Sequence, residues 1–220
     1  VSNASILDTS ESSTVVDLYA GDLRLNAATA VGASNNHLES EVAKVSASVS
    51  ASGMFLLDSS SIEVTQTAAV PVNRVANDSS TSTGSSTDAI QSDLMVTGAL
   101  VLQTTAGSIT VSEGDTDTGT LGISASGNIL LLAGTTSNIK IDADVISTGG
   151  HISLNASLDI LQNADIAAQT AGKTIDLLAS RHITMAQTTS STTTNNGDIS
   201  LVATTGDITI ESIASGSQNV

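Results

Sequence analysis

A short phrase recurs at nearly constant intervals along the second half of this chain. It consists of a turn residue, a polar residue, and then two apolar residues separated by one position, with clear copies beginning at Gly127, Gly150 and Gly197 and a variant at Lys173. The leading apolar residues are separated by 23, 23 and 24 residues, and Leu100 starts an earlier copy. These leading residues are Ile129, Ile152, Ile175 and Ile199. A fixed interval of this size is typical of a solenoid, in which each repeat forms one unit that packs on the next.

Two further apolar series follow the first within each interval. The second comprises Ile109 with Val111, Ile139 with Ile141, Leu158 with Ile160, Ile183 with Met185, and Ile208 with Ile210. The third comprises Ile123, Val145, Ile166 and Ile213, with a polar substitute near Thr188 and Thr189. Each unit of about 23 residues therefore holds three short strands of period two, separated by turn residues. This pattern predicts an all-β fold, a right-handed parallel β-helix with three faces.

The composition supports a narrow, regular core. Serine and threonine account for 64 of 220 residues, and the aromatic residues are Tyr19 and Phe55 alone, although apolar residues reach 40%. Without rings, a core must be built from small branched side chains in regular stacks. The structural alternative is a β-sandwich of many short strands, but a sandwich does not require a constant interval or a three-part unit.

The repeat divides the chain into two parts, within what we expect to be one elongated domain over residues 1–220 that belongs to a longer protein. Residues 100–220 form regular coils, interrupted by a loop at 112–119. Residues 1–99 form irregular coils: strands at 53–57, 62–64 and 70–72 make one coil, and residues 76–93 then form a long surface loop. Residues 15–16 and 23–25 belong to a first coil.

Residues 36–45 leave two alternatives open. Leu38, Val42, Val45 and Val49 are spaced by 4, 3 and 4 residues, which is a helical stripe, and Asn36 is a suitable N-cap. The segment is thus either a short helix lying on the β-helix or a loop followed by a strand.

The charge balance excludes some classes of partner. The formal net charge is −16, and the six basic residues are scattered. With no basic stripe, the chain is not expected to bind nucleic acid or an anionic membrane surface. No run of 18 apolar residues occurs, so we expect no transmembrane segment. An acidic surface of this kind attracts cations such as calcium.

The predicted loop at 112–119 contains the best candidate metal ligands in the sequence. Asp115 and Asp117 precede a glycine, a pattern in which two carboxylates and turn carbonyls can surround a calcium ion. The late bidentate Glu of the usual calcium loop is not found at the right spacing. The alternative is an acidic turn that binds no metal.

Motifs for catalysis are not found, and we expect the protein not to be an enzyme. Asp144 and Asp165 precede third-series residues, so the repeat predicts that they lie on adjacent coils about 4.8 Å apart. Such a pair could bind a cation or act in glycoside cleavage. His151 and His182 each precede an inward Ile, and we expect both on the solvated surface of different faces, far from His37. No shared metal site or bound cofactor is therefore expected from the histidines.

The segments that begin at Gly127, Gly150 and Gly197 resemble the repeats of filamentous-hemagglutinin-like giant surface proteins. The resemblance covers residues 100–220 and, less clearly, 53–72. It implies a long right-handed parallel β-helix, exported by a Gram-negative bacterium through an outer-membrane secretion partner, with no catalytic residues. The family's secretion-domain motifs are not recognisable near Val1, which implies that the chain lies inside the shaft or near a distal part of such a protein.

The resemblance also implies a function. The chain would be a structural and adhesive shaft segment of a large secreted or surface-attached bacterial protein, located outside the cell, whose loops contact a receptor or glycan on a host or neighbouring cell. Two alternatives stay open: a β-helix that binds or cleaves polysaccharide, and a passive shaft that binds nothing.

Overall fold

A computed structural model describes residues 1–9, 15–114, 119–216 and 219–220, and for residues 82–86 it describes the backbone alone. Within these residues the chain forms strands and turns, without a helix. The first eight strands are β1 (Leu18–Ala27), β2 (Ala30–Val31), β3 (Leu38–Val49), β4 (Gly53–Asp58), β5 (Ile62–Val64), β6 (Val70–Val75), β7 (Thr81–Asp88) and β8 (Leu94–Val96). The next nine are β9 (Leu100–Thr104), β10 (Ile109–Val111), β11 (Leu121–Ala125), β12 (Ile129–Ala133), β13 (Ile139–Ile141), β14 (Asp144–Ser147), β15 (Ile152–Ala156), β16 (Ile160–Gln162) and β17 (Ile166–Ala168). The last six are β18 (Ile175–Ala179), β19 (Ile183–Met185), β20 (Ser191–Thr193), β21 (Ile199–Ala203), β22 (Ile208–Thr209) and β23 (Ile213–Ala214).

The strands wind into a parallel β-helix with three faces, which confirms the predicted fold class. Face 1 contains β4, β9, β12, β15, β18 and β21, each paired in parallel with the next. Face 2 contains β5, β10, β13, β16, β19 and β22. Face 3 contains β8, β11, β14, β17, β20 and β23. One coil of the chain thus contributes one strand to each face.

The predicted first series forms a continuous aliphatic ladder inside face 1. Leu100 pairs with Ile129, and the ladder continues through Ile152, Ile175 and Ile199. All five side chains are at most 2% exposed. No single strand of three to five residues buries enough apolar surface to be stable alone, so each coil depends on its neighbours for its core.

Two registers in the predicted second and third series are wrong. On face 2, Ile160 rather than Leu158 takes the leading inward position, and Gln162 lies below Ile141 in the core. On face 3, Ser191 rather than Thr188 or Thr189 is the polar substitute below Ile166. Both polar side chains are fully buried, and the Ser191 hydroxyl donates to Oε1 of Gln162 over 3.0 Å. The amide of Gln162 donates in turn to the carbonyls of Ala164 and Ser190, so a polar pair is accommodated inside the core.

The helix considered for residues 36–45 is not formed, because β3 occupies Leu38–Val49. This long strand follows the β-helix around its corners. It pairs with β4 at its beginning, with β5 at Lys44 and Val45, and with β8 at its end. No helix among the described residues has the length and apolar character needed to cross a membrane.

The coil predicted from residues 53–72 is interrupted by a β-hairpin. β6 and β7 pair with each other in antiparallel orientation and lie outside the large sheet. Residues 70–72 are therefore not the third strand of the coil, and residues 76–93 are not simply a loop. The third-face position is taken instead by β8, which follows the hairpin.

Glycines allow the coils to approach closely at the corner that precedes face 1. A Cβ atom added at Gly150 would lie 2.2 Å from the carbonyl carbon of Gly127, and one added at Gly127 would lie 2.8 Å from that of Gly98. These glycines of the repeat phrase are therefore required by backbone contact between coils.

Candidate functional site

Polar side chains at the strand starts link each coil to the next. We call these columns the corner ladders. In each column, residues that directly precede the first inward residue of a strand use their side chains to accept the backbone N–H of the equivalent residue one coil later, although the column beside face 1 is interrupted. The ladder beside face 2 runs through Ser61, Ser108, Asn138, Asp159, His182 and Asp207, with donor–acceptor distances of 2.9–3.0 Å. The N–H groups at these corners would otherwise lack a partner, so the ladders satisfy them.

Two of the three histidines belong to the corner ladders. The backbone N–H of Thr174 donates to Nδ1 of His151 over 3.1 Å, and that of Asp207 donates to Nδ1 of His182 over 2.9 Å. In this arrangement Nδ1 of each ring accepts the hydrogen bond through its lone pair. Both histidines are half-buried and lie on different faces, as expected, but they are structural acceptors rather than free surface side chains. His37 lies elsewhere and stacks on Phe55, with ring centroids 6.0 Å apart.

Asp144 and Asp165 lie on adjacent coils, as the repeat predicts, and form the corner ladder beside face 3. Oδ1 of Asp144 accepts the N–H of Asp165 over 2.9 Å, and Oδ2 accepts the hydroxyl of Thr120 over 2.6 Å. Oδ1 of Asp165 accepts both the N–H and the hydroxyl of Ser190. Both carboxylates therefore link one coil to the next through hydrogen bonds, and this structural role explains why they lie on adjacent coils.

The predicted calcium ligands Asp115 and Asp117 lie outside the described residues. The structure therefore does not test whether they bind a metal, and their role as calcium ligands stays a prediction.

The β6–β7 hairpin projects from the corner between face 2 and face 3. Its base is closed by mutual backbone hydrogen bonds between Thr67 and Gln91, with N···O distances of 2.8 and 3.3 Å. Arg24 on β1 holds one side, since its Nε donates to the carbonyl of Ala89 and its Nη1 lies 3.6 Å from Oδ2 of Asp88. All six residues of β6 are exposed, including Val70, Val72 and Val75.

The tip of the hairpin is an ordered turn. The N–H of Ala76 donates to the carbonyl of Ser80, and the carboxylate of Asp78 accepts both the N–H and the hydroxyl of Ser80. The hydroxyl of Ser80 holds the pKa of Asp78 below its usual range. The turn therefore presents a charged carboxylate at the end of the hairpin.

An acidic cluster, not predicted from the sequence, lies at the N-terminal end of the β-helix. Oxygen atoms of Asp8, Asp17 and Glu39 all lie within 4.8 Å of one another. Asp17 directly precedes β1 and Glu39 is the second residue of β3, and β1 and β3 pair in parallel. These two residues are 22 positions apart, which is about one coil. Extending the repeat interval into the irregular region would have predicted that they stack.

The cluster lies beside two surface clefts that share Glu39 and Leu57. One cleft, of about 350 Å³, is also lined by Asn36, His37 and Gln103. The other, of about 200 Å³, is lined on its far side by residues that precede β1 and by Ser59 and Thr105. Solvent and small ions can therefore approach the cluster from the surface.

Comparisons of the chain with family models, with characterised proteins and with solved structures give no significant match. The resemblance of the repeat phrase to filamentous-hemagglutinin-like proteins therefore stays a prediction. A function must be argued from the fold and the side chains alone.

Proposed function

We propose that this chain is a shaft segment of a large secreted or surface-attached bacterial protein, and that it presents the β6–β7 hairpin to an adhesion partner. The observation that carries the proposal is the contrast between the hairpin and the shaft. In each shaft strand from β8 to β19 at least two residues are buried in the core, whereas all six residues of β6 are exposed, including Val70, Val72 and Val75 at 46%, 48% and 69%.

The shaft has the properties of a spacer. From β4 to β23 the strands of successive coils pair in parallel on all three faces, with one register shift between β11 and β14 at Leu121 and Ile123. The corner ladders add side-chain links at the edges. Because every coil contacts its neighbours through three strands, bending the shaft requires hydrogen bonds on at least one face to lengthen. Such a structure holds a displayed element at a fixed distance from its point of attachment.

The hairpin has the properties of a contact element. Its base is fixed by Arg24 and by the bridge between Thr67 and Gln91, so it is held in one orientation. Insertions in solenoid proteins are found on the binding face. The partner in this proposal is a receptor or glycan on a host or neighbouring cell, and the insertion at residues 112–119 is a second contact candidate.

Removing the hairpin tests the proposal without disturbing the shaft. Residues 68–90 are replaced by Asn-Gly, a two-residue turn suited to joining the closely spaced Thr67 and Gln91. The fluorescently labelled 220-residue chain and the shortened chain are then applied to bacterial cells, to mammalian cells and to a glycan array. Circular dichroism checks that the shortened chain keeps its β-structure.

We expect the intact chain to bind one of these surfaces and the shortened chain to lose most of that binding. A chain with the insertion at 112–119 shortened in the same way reports separately on the second contact candidate. Equal binding by the intact and hairpin-less chains would overturn the role of the hairpin. An intact chain that binds none of the surfaces would overturn the adhesive function in favour of a passive shaft.

A further inference from the structure

Glu39 carries a buried carboxylate that has no hydrogen-bond donor among the residues that the structure describes. It alternates with the inward residues Leu38 and Ser40, so its side chain points away from the core, yet the residue is only 2% exposed. Both oxygens, Oε1 and Oε2, are buried and accept no hydrogen bond. A buried carboxyl group without donors is strongly destabilising when it is ionised, unless a positive charge lies beside it. Without such a charge, the protonated, neutral form is favoured.

A second buried carboxylate nearby, that of Asp58, accepts hydrogen bonds from several donors. Asp58 is fully buried and lies beside Ser40 in the sheet. One oxygen of Asp58 accepts the hydroxyl of Ser40 and the N–H of Val42, and the other accepts the N–H and hydroxyl of Ser60. The described part of the chain thus provides four donor groups for the carboxylate of Asp58 and none for that of Glu39. Exceptions of this kind call for a specific explanation, such as a bound ion.

Two further carboxylates, those of Asp8 and Asp17, lie close to the carboxylate of Glu39. Asp8 is half-buried and Asp17 is exposed, so the three residues form a path from solvent to the buried group. Burial, followed by the nearby charges of Asp17 and Asp8, raises the pKa of Glu39 above its ordinary value. The arrangement therefore disfavours three negative charges in the absence of a compensating cation.

The spacing of the oxygens suits a calcium ion. Calcium takes oxygen ligands at roughly 2.3–2.6 Å, so two oxygens on one ion are at most about 5.2 Å apart. The carboxylate oxygens of Asp8, Asp17 and Glu39 meet this condition, since all lie within 4.8 Å of one another. Water from the adjacent clefts can complete the six to eight ligands that calcium prefers.

We propose that Asp8, Asp17 and Glu39 bind a calcium ion that fixes the N-terminal segment to the first full coil. Apart from the cluster, residues 1–9 are held to the sheet by isolated bridges at Ser2 and Ile6. The N–H of Thr29 also donates to the carbonyl of Ala4, and the side-chain amide of Asn36 donates to the carbonyl of Asp8. The ion joins this segment, through Asp8, to the start of β1 and to β3. The site is independent of the proposed adhesive function and uses none of the hairpin residues.

A single tyrosine makes the site measurable by spectroscopy. The chain has no tryptophan and one tyrosine, Tyr19, which lies two residues after Asp17 and is therefore within about 7 Å along the strand. Terbium, a calcium substitute, luminesces when a nearby tyrosine transfers excitation energy to it. Terbium luminescence and thermal unfolding are measured for the wild-type chain and for the variants Glu39→Gln, Asp17→Asn and Glu41→Gln. Glu41 lies two residues after Glu39 on the same strand, is exposed, and provides the matched control.

We expect tyrosine-sensitised terbium emission from the wild-type chain that calcium displaces, and a rise in the unfolding midpoint when calcium replaces EDTA. Glu39→Gln should weaken terbium and calcium binding at least about tenfold, since affinity depends on the number of charged ligands. The same variant should unfold in EDTA at a temperature equal to or above that of the wild type, because an unpaired buried charge has been removed. Glu41→Gln should behave as the wild type.

Two results would overturn the proposal. The first is an unfolding midpoint of the wild-type chain that does not change between EDTA and calcium, which would indicate that Glu39 is protonated rather than metal-bound. The second is equal loss of terbium emission in Glu39→Gln and Glu41→Gln, which would indicate general attraction of cations to an acidic surface. If Glu39→Gln does not fold, Asp17→Asn gives the same comparison at an exposed ligand.

Discussion

Hydrogen-bond acceptors at the strand starts explain which polar residues the repeat phrase tolerates. The position before the first inward residue of a strand is filled in most coils by Ser, Asn, Asp, His or Thr, as in Asn128, His151 and Thr174 beside face 1, although Ala99 and Gly122 are exceptions. In the linked coils, Oδ1 of Asn128 and Nδ1 of His151 accept a backbone N–H from the following coil. What the position requires is therefore a short side chain with an acceptor, and charge is secondary.

Substitution of His151 tests this requirement. His151→Asn should change the free energy of unfolding by less than about 0.5 kcal/mol, since the amide oxygen can replace Nδ1 and Asn already occupies the position one coil earlier. His151→Leu has a similar size and no acceptor, and should destabilise the chain by about 1 kcal/mol. Urea unfolding of the two variants compares them directly. Equal stability of the Asn and Leu variants would contradict a role for the acceptor.

Asp159 accepts a corner-ladder hydrogen bond from His182 and also forms an ion pair with Arg181. We therefore expect the contribution of Asp159 to the stability of the chain to depend on pH. Hydrogen bonds from Arg181, with a smaller contribution from the N–H of His182, hold the pKa of Asp159 below its ordinary value. The folded state therefore favours the ionised form. Its contribution to stability is complete above the ordinary pKa of an aspartate and is lost as the pH falls through the lowered value.

Asp159→Asn keeps an oxygen for the N–H of His182 but loses the charge that pairs with Arg181. We expect this variant to be less stable than the wild type at pH 7, with a difference that disappears in acid, where Asp159 itself becomes protonated. Asp176→Asn, an exposed change of the same charge, corrects for the net charge of −16. A difference from the wild type that persists unchanged into acid, after this correction, would show that the ion pair is not its source.

At the scale of the strand, stability comes from stacking rather than from the strand's own sequence. Ile183 on β19 and Ile208 on β22 are paired neighbours on face 2, yet Ile183 is fully buried and Ile208 is 39% exposed. The two residues occupy the same position in the phrase. Only the coils on either side differ.

The same substitution at these two positions should therefore have different effects. Ile183→Ala creates a cavity in the core and should destabilise the chain by about 2–5 kcal/mol. Ile208→Ala should change stability by less than about 1 kcal/mol, because its side chain is already partly exposed. Thermal and urea unfolding provide the comparison. Similar losses at both positions would mean that a strand contributes stability independently of its neighbours.

The strands themselves were predictable where the inward residues are aliphatic and the interval is constant. β3 shows where this prediction fails. Its inward residues form two runs of period two, Leu38–Ser40–Val42 and Val45–Ala47–Val49, separated by two exposed residues at a corner. Because Ser40 and Ala47 are not conspicuously apolar, the remaining residues have helical spacing. The period-two pattern of β3 can be recognised only when the position of the corner between the two runs is known.

Other features depend on proximity that spacing alone does not reveal. Gln162 was not recognised as a core residue because the partners that satisfy it, Ser191 and the carbonyl of Ser190, come from the next coil. The acidic cluster was missed for a similar reason, since Glu39 and Asp8 come from coils whose register the sequence pattern does not define. The hairpin was missed because its second strand is rich in Ser and Thr, a composition also typical of loops.

At the scale of the whole molecule, distance along the axis depends on the number of coils and not on the number of residues. The step from Leu57 to Gln103 contains 46 residues and the step from Gln103 to Leu132 contains 29. Each is nevertheless one coil, since Leu57 pairs with Gln103 and Gln103 pairs with Leu132. The hairpin lies outside the large sheet, so it lengthens the chain without lengthening the shaft.

Distances between spin labels along one face test this stacking most directly, and the absence of cysteine from the sequence makes specific labelling simple. Each doubly labelled variant combines Val202→Cys with one of three further substitutions: Leu132→Cys, Gln103→Cys or Leu57→Cys. These outward positions are three, four and five coils from Val202 in the observed register. Stacked parallel coils predict backbone separations of about 14, 19 and 24 Å, with equal steps of about 4.8 Å. A step from Gln103 to Leu57 that is clearly larger than the step from Leu132 to Gln103, or a distance that does not increase at all, would contradict the parallel β-helix.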